Sequence, residues 1–157
     1  MKLKREGAFL VARIHQIAGR IFSSILKKYD LGDISPAQGR ILFVLWKNDN
    51  VPIQRLAKET SLSKSTLTVM LDRLEAMGHV RRVHSKTDRR EILIQLTEKD
   101  QALMGTYARV SEEMASIACA GFTKEELDDL EEKLARILTN LASYEAEMKR
   151  RGNARGQ

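Results

Sequence analysis

A mainly α fold carrying a small β-wing is what three features of the sequence predict. Residues 51–97, VPIQRLAKETSLSKSTLTVMLDRLEAMGHVRRVHSKTDRREILIQLT, hold two short helical patterns around the polar break Glu59-Thr60-Ser61, then two strand patterns around a charged loop. Outside that stretch, apolar residues recur at spacings of three and four, the period of amphipathic helices. Charge is divided as well: residues 35–97 hold eleven Lys and Arg against six Asp and Glu, a balance of +5, whereas residues 98–148 hold five against twelve, a balance of −7. A basic unit on an acidic helical scaffold points to an acidic partner for the first part only. Together these are the parts of a winged helix-turn-helix plus long dimerisation helices.

The first helix is expected over residues 8–29, where Leu10, Ile14, Ile17, Ile21, Ile25 and Tyr29 form one stripe for a core or an interface. Gly19 interrupts it at a cost of about 1 kcal/mol relative to Ala and suits a close helix crossing. Asp30-Leu31-Gly32-Asp33 closes the helix. Ser35-Pro36-Ala37-Gln38 opens the next, over residues 36–46, with an N-cap serine, proline at the first helical position and a capping-box glutamine. Asn48-Asp49-Asn50 makes a turn, and Pro52 starts a third helix through about Glu59.

Ser63 caps a fourth helix that continues to Met77 and stops at Gly78, a residue suited to the left-handed conformation. At about 100° per residue, Leu67, Met70, Leu71 and Leu74 cluster on one side, leaving Ser65, Thr68, Val69, Asp72 and Arg73 on the other. Lys64, Ser65 and Thr68 near the N-terminus suit phosphates or base edges. Val69 is the apolar exception: either an ordinary surface residue or, in a major groove, a contact for a thymine methyl. Asp72 is unsuited to phosphate and suits a nearby arginine.

Residues 79–84 read as a strand, and residues 91–96 as a second with Ile92, Ile94 and Leu96 on one face. Between them Ser85-Lys86-Thr87-Asp88-Arg89-Arg90 is too polar to be buried and reads as the wing. Arginines at a projecting tip suit the negative potential of a narrow minor groove, although a solvated charged hairpin has the same composition.

Thr97-Glu98-Lys99-Asp100 begins a fifth helix with Leu103, Tyr107, Val110, Met114 and Ile117 on one stripe, ending at Gly121 and Phe122. Thr123 and Glu126 form a capping box for a sixth, in which Leu127, Leu130, Leu134, Ile137, Leu141, Tyr144 and Met148 repeat at three and four. Each helix spans over about 30 Å, more than the winged unit covers, so a second copy of the chain is the simplest cover; monomeric bundles share the period. The organisation is therefore residues 1–34, an N-terminal helix contributing to dimerisation; 35–97, the winged unit; 98–148, the dimerisation helices; and 149–157, a basic tail expected to fray.

Other classes fare worse. The lone Cys119 cannot form an internal disulfide and reads as a small buried hydrophobe rather than a redox sensor. His15, His79 and His84 lack metal-ligand spacing, there is no Gly-rich phosphate loop, and no Ser or Cys is matched with a base, so neither catalysis nor a metal or cofactor is expected. The opening MKLKREGAFLVARI is too short in its apolar run for a signal peptide, and the longest such run, residues 41–46, is far below a membrane span. A soluble cytoplasmic protein is expected. A module that docks a protein partner through its amphipathic helices is the alternative.

DRREILIQLT, residues 88–97, resembles the wing signature of the MarR (multiple antibiotic resistance regulator) family. LAKETSLSKSTLTVMLDRLEAMGHVRR is similar to that family's helix-turn-helix, and SPAQGRILFVL to its second helix, so the resemblance covers residues 8–148. It implies a homodimeric repressor on a pseudo-palindromic operator in duplex DNA. By position, Arg90 is the minor-groove residue, Asp88 orients it, and Arg89 is a secondary backbone contact. Ser63, Lys64, Ser65, Thr68 and Val69 fall on the groove-facing segment, and Arg73 and Lys86 complete the expected DNA-contact set. Many members carry arginine near Val69, which this chain lacks, so the resemblance does not carry their base preference over to it. The first, fifth and sixth helices correspond to the dimerisation region. The resemblance also implies release by a small phenolic or anionic effector, for which His15, Phe43, Trp46 and Tyr107 are the candidate lining.

Overall fold

The computed structural model describes residues 6–154. The first five residues of the 1–34 segment and the last three of the 149–157 tail lie outside it. The chain divides after Ala115 into two compact units.

In the first unit, α1 (Gly7–Lys28) is followed by α2 (Pro36–Lys47), a two-residue strand β1 (Val51–Pro52), α3 (Ile53–Thr60), α4 (Lys64–Ala76), β2 (Val80–His84), β3 (Ile92–Leu96) and α5 (Glu98–Ala102). The next helix, α6 (Met104–Ala118), begins in this unit. The three strands form an antiparallel sheet in the order β1-β3-β2, with Val51 opposite Ile94 and Arg82 opposite Ile94 from the other side.

Local chemistry explains most boundaries. Ser35 accepts from the Gln38 N–H while Gln38 Oε1 accepts from the Ser35 N–H at 2.8 Å, the reciprocal box its sequence announces, with Pro36 in the first turn. Ser63 caps α4, and Gly78 beyond it has φ of +75°, a conformation in which a side chain is strained. The break between α3 and α4 is made by Ser61, itself left-handed at φ 54°. The apolar faces meet in one core: Leu26 of α1, Ile41, Leu42 and Leu45 of α2, Leu56 of α3, Leu67, Leu71 and Leu74 of α4, Ile94 of β3 and Val110 of α6. Gly39 lets α1 approach α2, since a Cβ there would stand 3.1 Å from the Phe22 ring.

Several expectations are corrected. Gly19 makes no close crossing, because a Cβ added there meets nothing within 4 Å; the close approach is at Gly39 instead. Only Ile25 in the α1 stripe is buried, with Ile21 and Tyr29 partly so; Leu10, Ile14 and Ile17 are exposed because α1 runs past the core. Pro52 does not begin α3 but ends β1, as Val51 pairs with β3 before the helix starts. The fifth helix is two: Leu103 closes α5 with its N–H on the Asp100 carbonyl at 2.9 Å, and α6 restarts at Met104. Ser85 is buried despite its polarity, because its hydroxyl accepts from the backbone N–H groups of Thr87 and Asp88 and so turns the loop inward at its base.

Asp100 is the polar centre of this unit. It is fully buried, and its carboxylate accepts from Trp46 Nε1 of α2 at 2.9 Å and from the Tyr107 hydroxyl of α6 at 3.2 Å; Nδ1 of the buried His79 lies 2.8 Å from it. Burial first, and then this carboxylate, push the Tyr107 phenol up from its ordinary pKa, so Tyr107 stays a donor. At the far side Glu113 of α6 receives Lys28 at 2.8 Å and the Tyr29 hydroxyl at 2.9 Å, contacts that hold its carboxyl below the usual range.

The second unit consists of the end of α6, a turn at Gly121 with φ of +84°, and α7 (Lys124–Ala154). Thr123 and Glu126 exchange bonds of 2.9 and 3.2 Å in the expected capping box. At about 1.5 Å per residue α7 extends over roughly 46 Å. Its helix continues through Ala154, and Lys149, Arg150 and Arg151 stand near its C-terminus, where basic side chains suit the helix dipole. Leu130, Leu134, Ile137, Leu141, Tyr144 and Met148 along it are all exposed.

Asp100→Ala removes the shared acceptor and leaves buried donors unsatisfied, which should cost about 3 kcal/mol of folding stability. Urea unfolding measures this, and a loss below about 0.5 kcal/mol would remove Asp100 from its central place.

Candidate nucleic-acid interface

On α4 the residues expected to face a groove are all on the surface. Lys64, Ser65, Thr68, Val69 and Arg73 are exposed, with Val69 at 48%, while Leu67, Leu71 and Leu74 close the opposite side. Ser63 is exposed too, but its hydroxyl accepts from the Thr66 N–H at 3.2 Å and donates to Thr66 Oγ1 at 2.7 Å, so it builds the helix start. Thr68 Oγ1 donates to the Lys64 carbonyl at 2.9 Å, which fixes its rotamer and leaves lone pairs outward. The first turn therefore presents backbone N–H groups and a lysine without any acidic residue.

The loop between β2 and β3 has Lys86, Asp88, Arg89 and Arg90 exposed around the buried Ser85. Asp88 Oδ1 accepts from the Arg90 backbone N–H at 2.9 Å, and the Asp88 carbonyl accepts from the Glu91 N–H at 3.0 Å. Asp88 thus sets the direction of Arg90 through the main chain, by an Asx-type turn. His84 Nδ1 lies 3.1 Å from the Arg89 carbonyl and pins the other limb. Two exposed arginines on a short tip whose backbone is internally bonded form a dense positive charge.

A polar cluster also links helix to wing. Arg82 of β2 reaches Asp72 at 2.6 Å through Nη2 and Glu75 through Nη1, while its backbone N–H donates to the other Glu75 oxygen at 3.1 Å. The pairing of Asp72 with an arginine is legible from its neighbours; Arg82 as the partner is not, because strand register decides which of four nearby arginines arrives.

The residues expected to line a ligand site are only partly together. An open cleft of about 1050 Å³ is lined by His15, Phe43 and Trp46, and also by Gly19, Arg20, Arg40 and Met114. Tyr107 is not among its lining residues: it lies behind Trp46, ring centroids 3.9 Å apart, with its hydroxyl turned to Asp100. Arg20 and Arg40 were missed because each is an ordinary exposed position on its own helix. Among the described residues no cluster of three or more His, Cys, Asp or Glu is placed to hold a metal, and no helix is long and apolar enough to cross a membrane.

Comparison with known proteins agrees with this architecture. The model of the MarR family matches residues 34–92. The HTH-type transcriptional regulator TtmR of Methylorubrum extorquens (strain PA1) is 32% identical over 152 residues, covering 97% of this chain and 72% of that protein. MgrA of Staphylococcus aureus, also an HTH-type transcriptional regulator, is 26% identical over 137 residues, 87% of this chain and 90% of that one. Among solved structures, Streptococcus pneumoniae FabT in complex with DNA shares the fold with a TM-score of 0.69 at 24% identity, covering 89% of this chain and 97% of that chain. The winged arrangement, the family match and the identity to TtmR across nearly the whole sequence lead to one conclusion: this chain belongs to the MarR family of transcriptional regulators.

Proposed function

We propose that this regulator is a cytoplasmic repressor that binds a pseudo-palindromic operator in duplex DNA as a homodimer and releases it when a small phenolic or anionic effector enters the cleft. The observation that carries the reading is the exposed, acid-free first turn of α4 beside a wing whose tip displays Arg89 and Arg90. In this reading α4 lies in the major groove, with Lys64 and Ser65 at phosphates or base edges, Thr68 and Val69 against bases, and Arg73 at the backbone. Arg90 enters the flanking minor groove, where the narrow channel concentrates negative potential, and Lys86 and Arg89 meet phosphates. Ser63 and Asp88 act by shaping the two backbones.

Support for a second copy comes from each unit separately. Phe9, Leu10, Val11, Ile14 and Ile17 are exposed on α1, and α7 exposes its apolar stripe from Leu130 to Met148. Apolar faces of that extent on elements this long are normally covered, and a two-fold partner supplies the same faces in return. For the effector, the cleft is lined by Phe43 and Trp46 together with Arg20 and Arg40, against the one acidic residue Glu59, a set that favours an aromatic anion.

Four measurements test this. The protein should prefer duplex from its own promoter over random duplex, with affinity falling steeply as salt rises, and equal binding to both at moderate salt would reject specific regulation. Arg90→Ala should weaken operator binding by about 1–3 kcal/mol, whereas unchanged affinity in a mobility-shift titration would take the wing out of the mechanism. Light scattering on Ile137→Glu/Leu141→Glu should show a dimer converted to monomer; a wild-type monomer would overturn the homodimer. The single tryptophan, Trp46, serves the effector: 2-hydroxybenzoate should change its emission saturably, and less so in Arg40→Ala.

A further inference from the structure

We propose that Arg82 is a positioning residue for DNA reading: clasped by Asp72 and Glu75, it holds the first wing strand to the reading helix in one orientation and cancels two carboxylates that otherwise face the duplex. This rests on the DNA-reading function proposed above.

Glu75 holds one residue twice. One of its oxygens accepts from the Arg82 backbone N–H at 3.1 Å and the other from Nη1, so the strand and the guanidinium are fixed by the same carboxylate. Nη2 reaches on to Asp72 at 2.6 Å. A planar fork satisfies both carboxylates at once, which a lysine ammonium on its flexible stem does not reproduce. Two of the three guanidinium nitrogens are thereby engaged, so Arg82 is poorly placed to serve a phosphate itself.

The position of the clasp gives it consequence. Asp72 follows Thr68 by one helical turn and Ser65 by two, so its carboxylate lies on the strip assigned to the groove. Unpaired, Asp72 and Glu75 would bring two negative charges towards phosphates. From Arg82, β2 continues through Val83 and His84 straight into the wing loop, so a small rotation of β2 on α4 is carried to Arg90. Leu71, Leu74 and Val80 bury the contact between helix and sheet, yet apolar packing alone is tolerant of sliding. The side chains of Asp72, Glu75 and Arg82 are 61%, 39% and 25% exposed, and pairs so placed add little to folding. Their use is orientation.

The test uses the full chain and a duplex that the wild-type protein selects from a random-sequence pool, measured against a scrambled duplex of the same composition. Arg82→Gln and the double variant Asp72→Asn/Glu75→Gln should each lower the selected-to-scrambled affinity ratio by tenfold or more. Affinity for the scrambled duplex should move in opposite directions, falling in Arg82→Gln and rising in the double variant, a pattern that general unfolding does not produce. Arg82→Lys should keep scrambled-duplex affinity near wild type while still losing discrimination. The slope of log affinity against log salt should be unchanged in Arg82→Gln; a slope smaller by about one would make Arg82 a phosphate contact and overturn its positioning role. If Arg82→Gln does not fold, the double variant decides: a wild-type ratio in it rejects the clasp. A wild-type protein that selects no duplex rejects the DNA reading and the clasp together, whereas a selective wild type with equally selective variants rejects the clasp alone.

Discussion

The buried carboxylate of Asp100 is the constraint on which the first unit depends. A carboxyl group in a dry interior is costly unless its polar atoms are met, and here an indole N–H and a phenol donate to it with an imidazole nitrogen alongside. Those three partners come from different places: Trp46 near the end of α2, His79 between α4 and β2, and Tyr107 in α6. Apolar packing of Leu45, Leu74 and Val110 would hold these elements near one another without choosing a rotation. Directional bonds to one shared acceptor do choose, because each donor has to arrive at its own angle. His79 is also the residue that follows the left-handed Gly78, so the exit of the reading helix and the entry of the wing are set at this point.

What the sequence makes legible, and what it hides, follow from the range of the interactions. Caps are local: Ser35 with Gln38, Ser63 with Thr66 and Thr123 with Glu126 sit within one turn, so residue type and spacing are sufficient to place them. The buried side of α4 follows from period alone. Asp100, by contrast, reads as an ordinary acidic residue in a helix first turn, since its three partners lie 54, 21 and 7 residues away. Ser85 was expected outside for its polarity; burial became tolerable only because two backbone N–H groups of the loop satisfy its oxygen. Gly19 and Gly39 have the same composition cue, and only the path of Phe22 decides which one is needed. Of the expected cleft residues three line it, while Tyr107 is claimed by Asp100, a competition invisible without the fold.

Trp46 belongs to both of these systems. One part of its indole lines the cleft, its ring stacks against Tyr107, and its N–H reaches Asp100. An occupant pressing on that ring would work against the bond to Asp100, and Asp100 is shared with His79. For the proposed effector release, the path from cleft to wing would need no long relay: it would run through two hydrogen bonds on one carboxylate. A coupling of this kind is limited by the difference in affinity between the two arrangements, so even the loss of one such bond, about 1 kcal/mol, would shift occupancy several-fold.

The surface proposed to read DNA is less basic than its unit. Asp72 and Glu75 sit on α4 about two and three turns from Lys64 and Ser65, and Val69 stands where a charged side chain would add affinity. The positive charge is displaced instead to the wing tip and to the helix N-terminus, where Lys64 and unpaired N–H groups gather. An anion drawn by those two sites is held at separated points, and separated points fix an orientation better than one dense patch does. Between them the face of Thr68 and Val69 offers shape and methyl contact rather than attraction. In the proposed reading, discrimination among sequences would be governed by the angle between α4 and β2, since a methyl contact is lost over a displacement that a charge would tolerate.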